Sequence, residues 1–197
     1  ISTGTDCPIS RAGHTALWTG MEMIIWGGYW LDNDYMDHYE KTGGRYNRST
    51  DSWLPTSTGP NCPSNRCSQA IWTGSEMIIW GGSIGNGSSL NTGGRYTPST
   101  DSWVPTSPGT ICPSVRSGHT AVWTGSEMVI WGGDSGDIWY SNVGGKYNPS
   151  TDSWVATSTG SNCPLGRAGH TSVWTGAEMI VWGGLWYEPN WTQHYEN

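Results

Sequence analysis

The sequence predicts an all-β chain built from repeated four-stranded sheets, and three observations carry that expectation. Tryptophan occurs 15 times and glycine 29 times while phenylalanine is absent. With Ser, Thr and Pro filling the intervals, this is a composition of strands and turns. Residues that fill helix surfaces, Ala, Leu, Lys and Glu, are scarce. One passage also returns four times at nearly constant spacing, each copy divided into short apolar runs by turn residues.

The repeat gives each element its place. "RAGHTALWTGMEMIIWGG" begins at Arg11, "RCSQAIWTGSEMIIWGG" at Arg66, "RSGHTAVWTGSEMVIWGG" at Arg116 and "RAGHTSVWTGAEMIVWGG" at Arg167. The closing glycines fall at Gly28, Gly82, Gly133 and Gly184, so the period is 51 to 54 residues. Within a unit, "HTAVW" and "EMVIW" read as two strands joined by a turn whose Gly takes a positive φ at no cost. "GGKY" opens a third strand, and "NPSTDS" turns the chain into a fourth at Trp154. Four short strands repeated at about 50 residues mark the blades of a β-propeller. The units run approximately 1–56, 57–106, 107–157 and 158–197, as one domain.

The marks inside each unit resemble those of Kelch repeats. A Gly-Gly pair closing the second strand, a later Tyr and a spaced Trp occur as Gly27, Gly28, Tyr46 and Trp53, then Gly81, Gly82, Tyr96 and Trp103, then Gly132, Gly133, Tyr147 and Trp154. The resemblance covers nearly the whole chain. It implies a propeller of Kelch-like blades, four repeats with the last one incomplete, in a secreted or cell-surface microbial protein. After Gly184 comes "LWYEPNWTQHYEN", where another Gly-Gly-Arg-Tyr and Asp-Ser-Trp are due. The reading is therefore a segment of a larger propeller or of a multichain assembly, or else a small ring with an imperfect last blade. Function does not follow from the resemblance, because such propellers serve as protein-binding modules, carbohydrate-associated domains and enzyme scaffolds.

Residues present in every unit read as scaffold. Eleven tryptophans sit at repeat positions, where blade-to-blade packing is the expectation. His14, His119 and His170 also repeat, and the second unit is read as carrying Gln69 in their place, which suits hydrogen bonding and not catalysis. The recurring Arg11, Arg66, Arg116 and Arg167, and Glu22, Glu76, Glu127 and Glu178, suggest inter-blade ion pairs or bonds to loop backbone. Asp51, Asp101 and Asp152 of "STDSW" lack the glycine of a sialidase Asp-box and read as turn caps.

Cys7, Cys62, Cys112 and Cys163 share one Cys-Pro site, so only the odd Cys67 offers a pairing, as a Cys62–Cys67 loop. Spacings near 50 residues lack the clustering of a metal site. No cofactor is expected. Asn47, Asn86 and Asn190 lie in glycosylation sequons.

Charge and hydropathy exclude some partners. A net charge of −7, with nine Lys and Arg, gives no basic stripe for nucleic acid. No run of about 18 apolar residues is present to span a membrane. The first residues lack the pattern of a signal peptide, as expected of a trimmed chain or one made without a leader. An extracellular or cell-surface location is the expectation.

Individuality is left to the connections between second and third strands. The first, "YWLDNDYMDHYEK", aligns without a gap with "LWYEPNWTQHYEN": Trp30 with Trp186, Asp32 with Glu188, Tyr35 with Trp191, and "HYE" with "HYE". The third carries Trp139 and Tyr140. Rings beside carboxylates build sugar sites, and exposed Trp and Tyr build protein-binding hot spots. The candidate ligand-binding residues are therefore Trp30, Asp32, Asp34, Tyr35, His38, Trp139, Tyr140, Trp186, Glu188, Trp191 and His194, in a non-catalytic module for a glycan or protein ligand. The competing readings are loops that merely cover their own blade, a self-assembling architectural segment, and a galactose-oxidase-like copper enzyme using His38, Tyr39, His194 and Tyr195. The last lacks a cysteine near either tyrosine. "DNDYMD" also lacks the sixth-position Gly of an EF-hand calcium loop.

Overall fold

The computed structural model describes residues 1, 3–136, 140–187 and 192–195, and they form strands and turns with no helix. Blade one contains β1 (Thr15–Trp18), β2 (Glu22–Trp26), β3 (Tyr29–Leu31), β4 (Asp37–Tyr39), β5 (Gly43–Asn47) and β6 (Ser52–Pro55). Its sheet runs β1-β2-β5-β6, and β3 and β4 pair separately as a hairpin in the connection from β2 to β5. Blade two contains β7 (Cys67–Trp72), β8 (Met77–Gly85), β9 (Ser88–Ser89), β10 (Gly93–Thr97) and β11 (Ser102–Pro105). Blade three contains β12 (Thr120–Trp123), β13 (Met128–Trp131), β14 (Gly144–Asn148) and β15 (Ser153–Ala156). Blade four has the pair β16 (Thr171–Trp174) and β17 (Met179–Trp182), followed by a hairpin of β18 (Leu185–Tyr187) and β19 (Gln193–Tyr195). First strands of successive blades stand side by side, β1 with β7, β7 with β12, and β12 with β16.

Alternation along the second strand builds the core. In β8, Met77 and Ile79 face blade one while Ile78 and Trp80 face blade three. Ile24 and Trp26 thereby meet Met77, Ile79, Tyr96 and Trp103, and one blade on, Ile78 and Trp80 meet Met128, Ile130, Tyr147 and Trp154. The indoles pair across each interface, Trp26 with Trp103 at 5.4 Å and Trp80 with Trp154 at 5.2 Å between centroids. Opposite Trp26, Trp80 and Trp131 the register places a glycine, Gly43, Gly93 and Gly144. A fourth-strand Trp replaced by Ala would cost about 3–5 kcal/mol on the scale of large core truncations.

The linkers latch these interfaces from outside. Trp103 Nε1 donates to Ser57 O at 2.9 Å and Trp154 Nε1 to Ser107 O at 3.1 Å. The same serines donate their backbone N–H to Asp101 and Asp152, which also accept the hydroxyls of Tyr96 and Tyr147 at 2.5 Å. Asp51, Asp101 and Asp152 sit at φ 48°, left-handed turn positions. Of the turn aspartates expected from sequence, Asp101 and Asp152 thus also bind the incoming linker.

The repeated arginines bond to backbone. Arg66 Nη1 donates to Gly81 O and Thr92 O at 3.1 and 2.6 Å, and Arg116 Nη1 to Gly132 O and Val143 O at 3.1 and 2.7 Å. Both side chains are buried at 1% exposure, and burial lowers the Arg66 guanidinium to about 10, still cationic at neutral pH. The ion pairs that do form, Arg45–Glu22 and Arg95–Glu76, both at 3.7 Å, lie within a blade. The guanidiniums of Arg45 and Arg95 also donate from Nη1 to Pro98 O and Pro149 O, and these bonds cross to the next blade.

The histidine column is corrected in blade two. Strand register puts Gln69 opposite Trp80, as Thr15, Thr120 and Thr171 stand opposite Trp26, Trp131 and Trp182. Ser68 consequently occupies the histidine place, packing on Gly82 as His14 packs on Gly28. The shortened repeat drops a glycine there, which shifts the alignment by one. His119 and His170 are structural: His119 lies edge-on to Trp80 at 5.7 Å and His170 to Trp131 at 5.2 Å, each reaching back to the preceding blade, while His14 of blade one is exposed.

All five cysteines are free. No Cys62–Cys67 bridge forms, because Cys62 Sγ lies against Lys41 O while Cys67 Sγ faces Gly13.

Burial lowers His119 to about 3 and His170 to about 4, with the neighbouring arginine cations adding to the shift. An exposed imidazole titrates near 6.5, so the unfolded chain binds more protons than the folded one between that pH and about 4. Stability should therefore fall as pH drops through this window. Urea midpoints measured from pH 7 to pH ~4.5 should decline steadily, and the doubly substituted His119→Gln, His170→Gln chain should show a flatter profile. A midpoint insensitive to pH in the parent chain would contradict this account.

Candidate binding face

Connections between second and third strands emerge together with the inter-blade linkers, and their bases are built alike. In blade one, Gly27 O and Thr42 O accept from Arg11 Nη1, so the connection leaves and returns through a fixed gate. Gly28, at φ 90°, stands so close to Ala12 that an added Cβ would come 2.5 Å from its carbonyl oxygen. Beyond that gate the chain is free to vary in length.

In the first connection the candidate residues organise their own hairpin. Trp30 and His38 are cross-strand partners whose rings stack at 4.3 Å and 17°. Trp30 Nε1 donates to Glu40 Oε1 at 3.0 Å, and Glu40 Oε2 accepts from Thr42 Oγ1 at 2.7 Å. Asp32 closes the tip: Oδ1 accepts the N–H groups of Asp34 and Met36 at 2.9 Å, and Oδ2 bonds His38 Nε2 at 2.7 Å. The bond to His38, followed by that from Met36, holds the Asp32 carboxyl below its ordinary range. Tyr35 sits at φ 61° on the apex, 85% exposed, beside Met36 at 62%.

The hairpin is not isolated. Tyr29 and Tyr39 stack at 5.6 Å on the opposite face, and Tyr39 leans onto blade two, where a Cβ on Gly85 would come 2.7 Å from its ring. Burial raises the Tyr39 hydroxyl above its usual range.

The last connection repeats this plan. Trp186 and His194 are cross-strand partners stacked at 4.4 Å and 16°, and Tyr140 of the third connection meets Tyr187 at 5.6 Å. Trp139, Glu188 and Trp191 lie outside the described residues. The second connection is the short extension of β8 with β9 and has no aromatic side chain.

The structure therefore separates the candidates by role. Trp30, Asp32 and His38 hold one another, as Trp186 and His194 do. Tyr35 stands out at the apex, and Asp34 contributes an exposed backbone donor to Asp32. The sequence missed Met36 and Leu31, both exposed beside Tyr35, because isolated apolar residues in a turn carry no pattern. Adjacent His38 and Tyr39 diverge to opposite faces of the hairpin, one on Trp30 and the other on Tyr29, so they do not converge on one metal. Among the described residues no group of three or more His, Cys, Asp or Glu is placed to hold a metal ion.

A family model described as the KLHDC2/KLHL20/DRC7 Kelch-repeats domain matches residues 13–196. The chain belongs to the Kelch-repeat family. Comparison with curated proteins gave no match. Membership explains the shared frame of Gly-Gly gate, Tyr and Trp in a β-propeller fold, and it makes the chain a propeller binding or scaffold module. The hairpins are what this Kelch chain adds to that frame.

If the Trp30–His38 stack organises only the hairpin, Trp30→Ala should loosen it alone. Limited proteolysis between residues 31 and 37 is expected to accelerate severalfold while the global urea midpoint moves by less than about 1 kcal/mol. A loss as large as that of a core tryptophan would place Trp30 in the core instead.

Proposed function

We propose that this Kelch module is non-catalytic and binds a protein through the apex of the blade-one hairpin, on the face shared with the hairpin of blade four. The observation that carries the reading is the division of labour at Trp30. One face of its indole is covered by His38 and its N–H is taken by Glu40, while Leu31, Tyr35 and Met36 stand exposed around it. A sugar site needs an open ring face flanked by free hydrogen-bonding groups. Here one ring face and the indole N–H are already engaged and Asp32 is committed to its own turn. An exposed Tyr–Met–Leu apex on a braced hairpin is the chemistry of a protein hot spot. The acidic balance of the chain favours a partner with a basic rim.

A photo-crosslinker placed at Tyr35 should yield a protein adduct in extracts of the source cells and in their culture medium, the latter matching an extracellular setting. Tyr35→Ser with Met36→Ser should reduce capture about tenfold or more, and a glycan array should stay blank. Array binding abolished by Trp30→Ala would favour the carbohydrate reading and overturn this one.

A further inference from the structure

Of the asparagines in the chain, Asn86 alone is followed by a glycine. Asn86 and Gly87 make up the whole two-residue connection between β8 and β9, where Gly85 pairs with Ser88. Their φ angles, 52° and 72°, are both positive, as a type I′ hairpin turn requires. Both residues are exposed, and a Cβ added to Gly87 would meet nothing within 4 Å. Among the described residues neither the Asn86 carboxamide nor the Gly87 N–H makes a hydrogen bond.

Other asparagines are placed differently. The amide nitrogens that follow Asn61, Asn65, Asn142 and Asn162 already donate, to Gly59 O, Glu40 O, Ser141 Oγ and Gly160 O. Asn148 precedes a proline, which has no N–H. The side-chain oxygen of Asn47 is held by the Ser49 N–H and hydroxyl. Asn86 thus joins an uncommitted carboxamide to an uncommitted, unhindered amide nitrogen on the next residue.

We propose that Asn86 is a modification site at which the chain supplies the nucleophile and water is the co-reactant. Gly87 N gives its proton to hydroxide and bonds to Asn86 Cγ. The Cγ–Nδ2 bond breaks, and the nitrogen leaves as ammonia on taking a proton from water, which regenerates the hydroxide. One water then opens the cyclic imide. Cleavage of the new N–Cγ bond restores the backbone with an aspartate at position 86. Cleavage at the main-chain carbonyl instead leaves isoaspartate, whose backbone runs through the side chain. Either product consumes one water, releases one ammonia and adds one negative charge, with no change of oxidation state.

The isoaspartyl product acts on the blade-one hairpin. It adds a methylene to the backbone of a two-residue turn, and the pairing of Gly85 with Ser88 depends on that turn's length. Gly85 is also the seat of Tyr39, whose ring lies 2.7 Å from where a Cβ on that glycine would stand. Lengthening the turn therefore displaces the surface that braces the hairpin. The reaction also removes the Asn-Gly-Ser sequon, so it and glycosylation of Asn86 exclude one another.

The test is a peptide map of the folded 197-residue chain, produced without glycosylation and held at mildly alkaline pH. Aspartate and isoaspartate are expected at position 86 ahead of every other asparagine, with matching release of ammonia and a rate that rises with pH. Asn86→Gln should suppress that ammonia. Proteolysis between residues 31 and 37 should accelerate severalfold in the isoaspartyl fraction and stay at the parent rate in Asn86→Asp, which keeps the backbone length. Conversion confined to the urea-unfolded chain, or spread evenly over the asparagines, would overturn the site. Unchanged proteolysis of the isoaspartyl fraction would overturn its action on the hairpin. Neither readout involves a binding partner.

Discussion

Each blade is gated by an arginine that has carbonyl oxygens as its acceptors. Arg66 and Arg116 are buried at the foot of their connections, spanning the carbonyl of the Gly-Gly pair and that of the residue before the third strand. A buried cation is costly unless its donors are satisfied, and here a planar fork is matched to fixed backbone oxygens. The gate holds strands two and three at a set separation whatever lies between them. That constraint permits an aromatic hairpin in blade one and a two-residue strand in blade two on the same frame.

The second consequence lies at the blade faces. Because every second strand alternates its contacts between two neighbours, no blade completes its own core. Trp80 is buried only because Trp154 and His119 come from the next blade. The linker then crosses to the same partner and fastens its Trp and Asp. Packing, polar latch and neutral histidine therefore all act at one seam. Among the described residues β17 is paired only by β16, and there Ile180 and Trp182 are exposed, Trp182 at 64%, although their counterparts in blades two and three are buried.

Much of this was legible in the sequence because duplication writes the same sentence several times. The period, the strand order, the turn glycines and the scaffold tryptophans all follow from comparing copies. Two features escaped for physical reasons. A one-residue deletion near Gln69 is ambiguous in a string and unambiguous in a ladder, where the partner of Trp80 fixes the register. The roles of Trp30 and His38 were hidden because cross-strand stacking depends on the hairpin's turn, set by Asp32 and the left-handed Tyr35. Sequence marked these residues as special; only their mutual geometry shows that most of them face each other and leave the apex to Tyr35 and Met36.

The linker latch also has a mechanical meaning. Ser57 and Ser107 are each held by the blade that follows them, so a blade is clamped from its amino-terminal side by chain already in place. Such nearest-neighbour arrays come apart unit by unit. Under a pull across blades one to three, these seams are loaded along their indole and aspartate bonds. The linker is thus a tether for the blade that follows it as well as a connection from the one before.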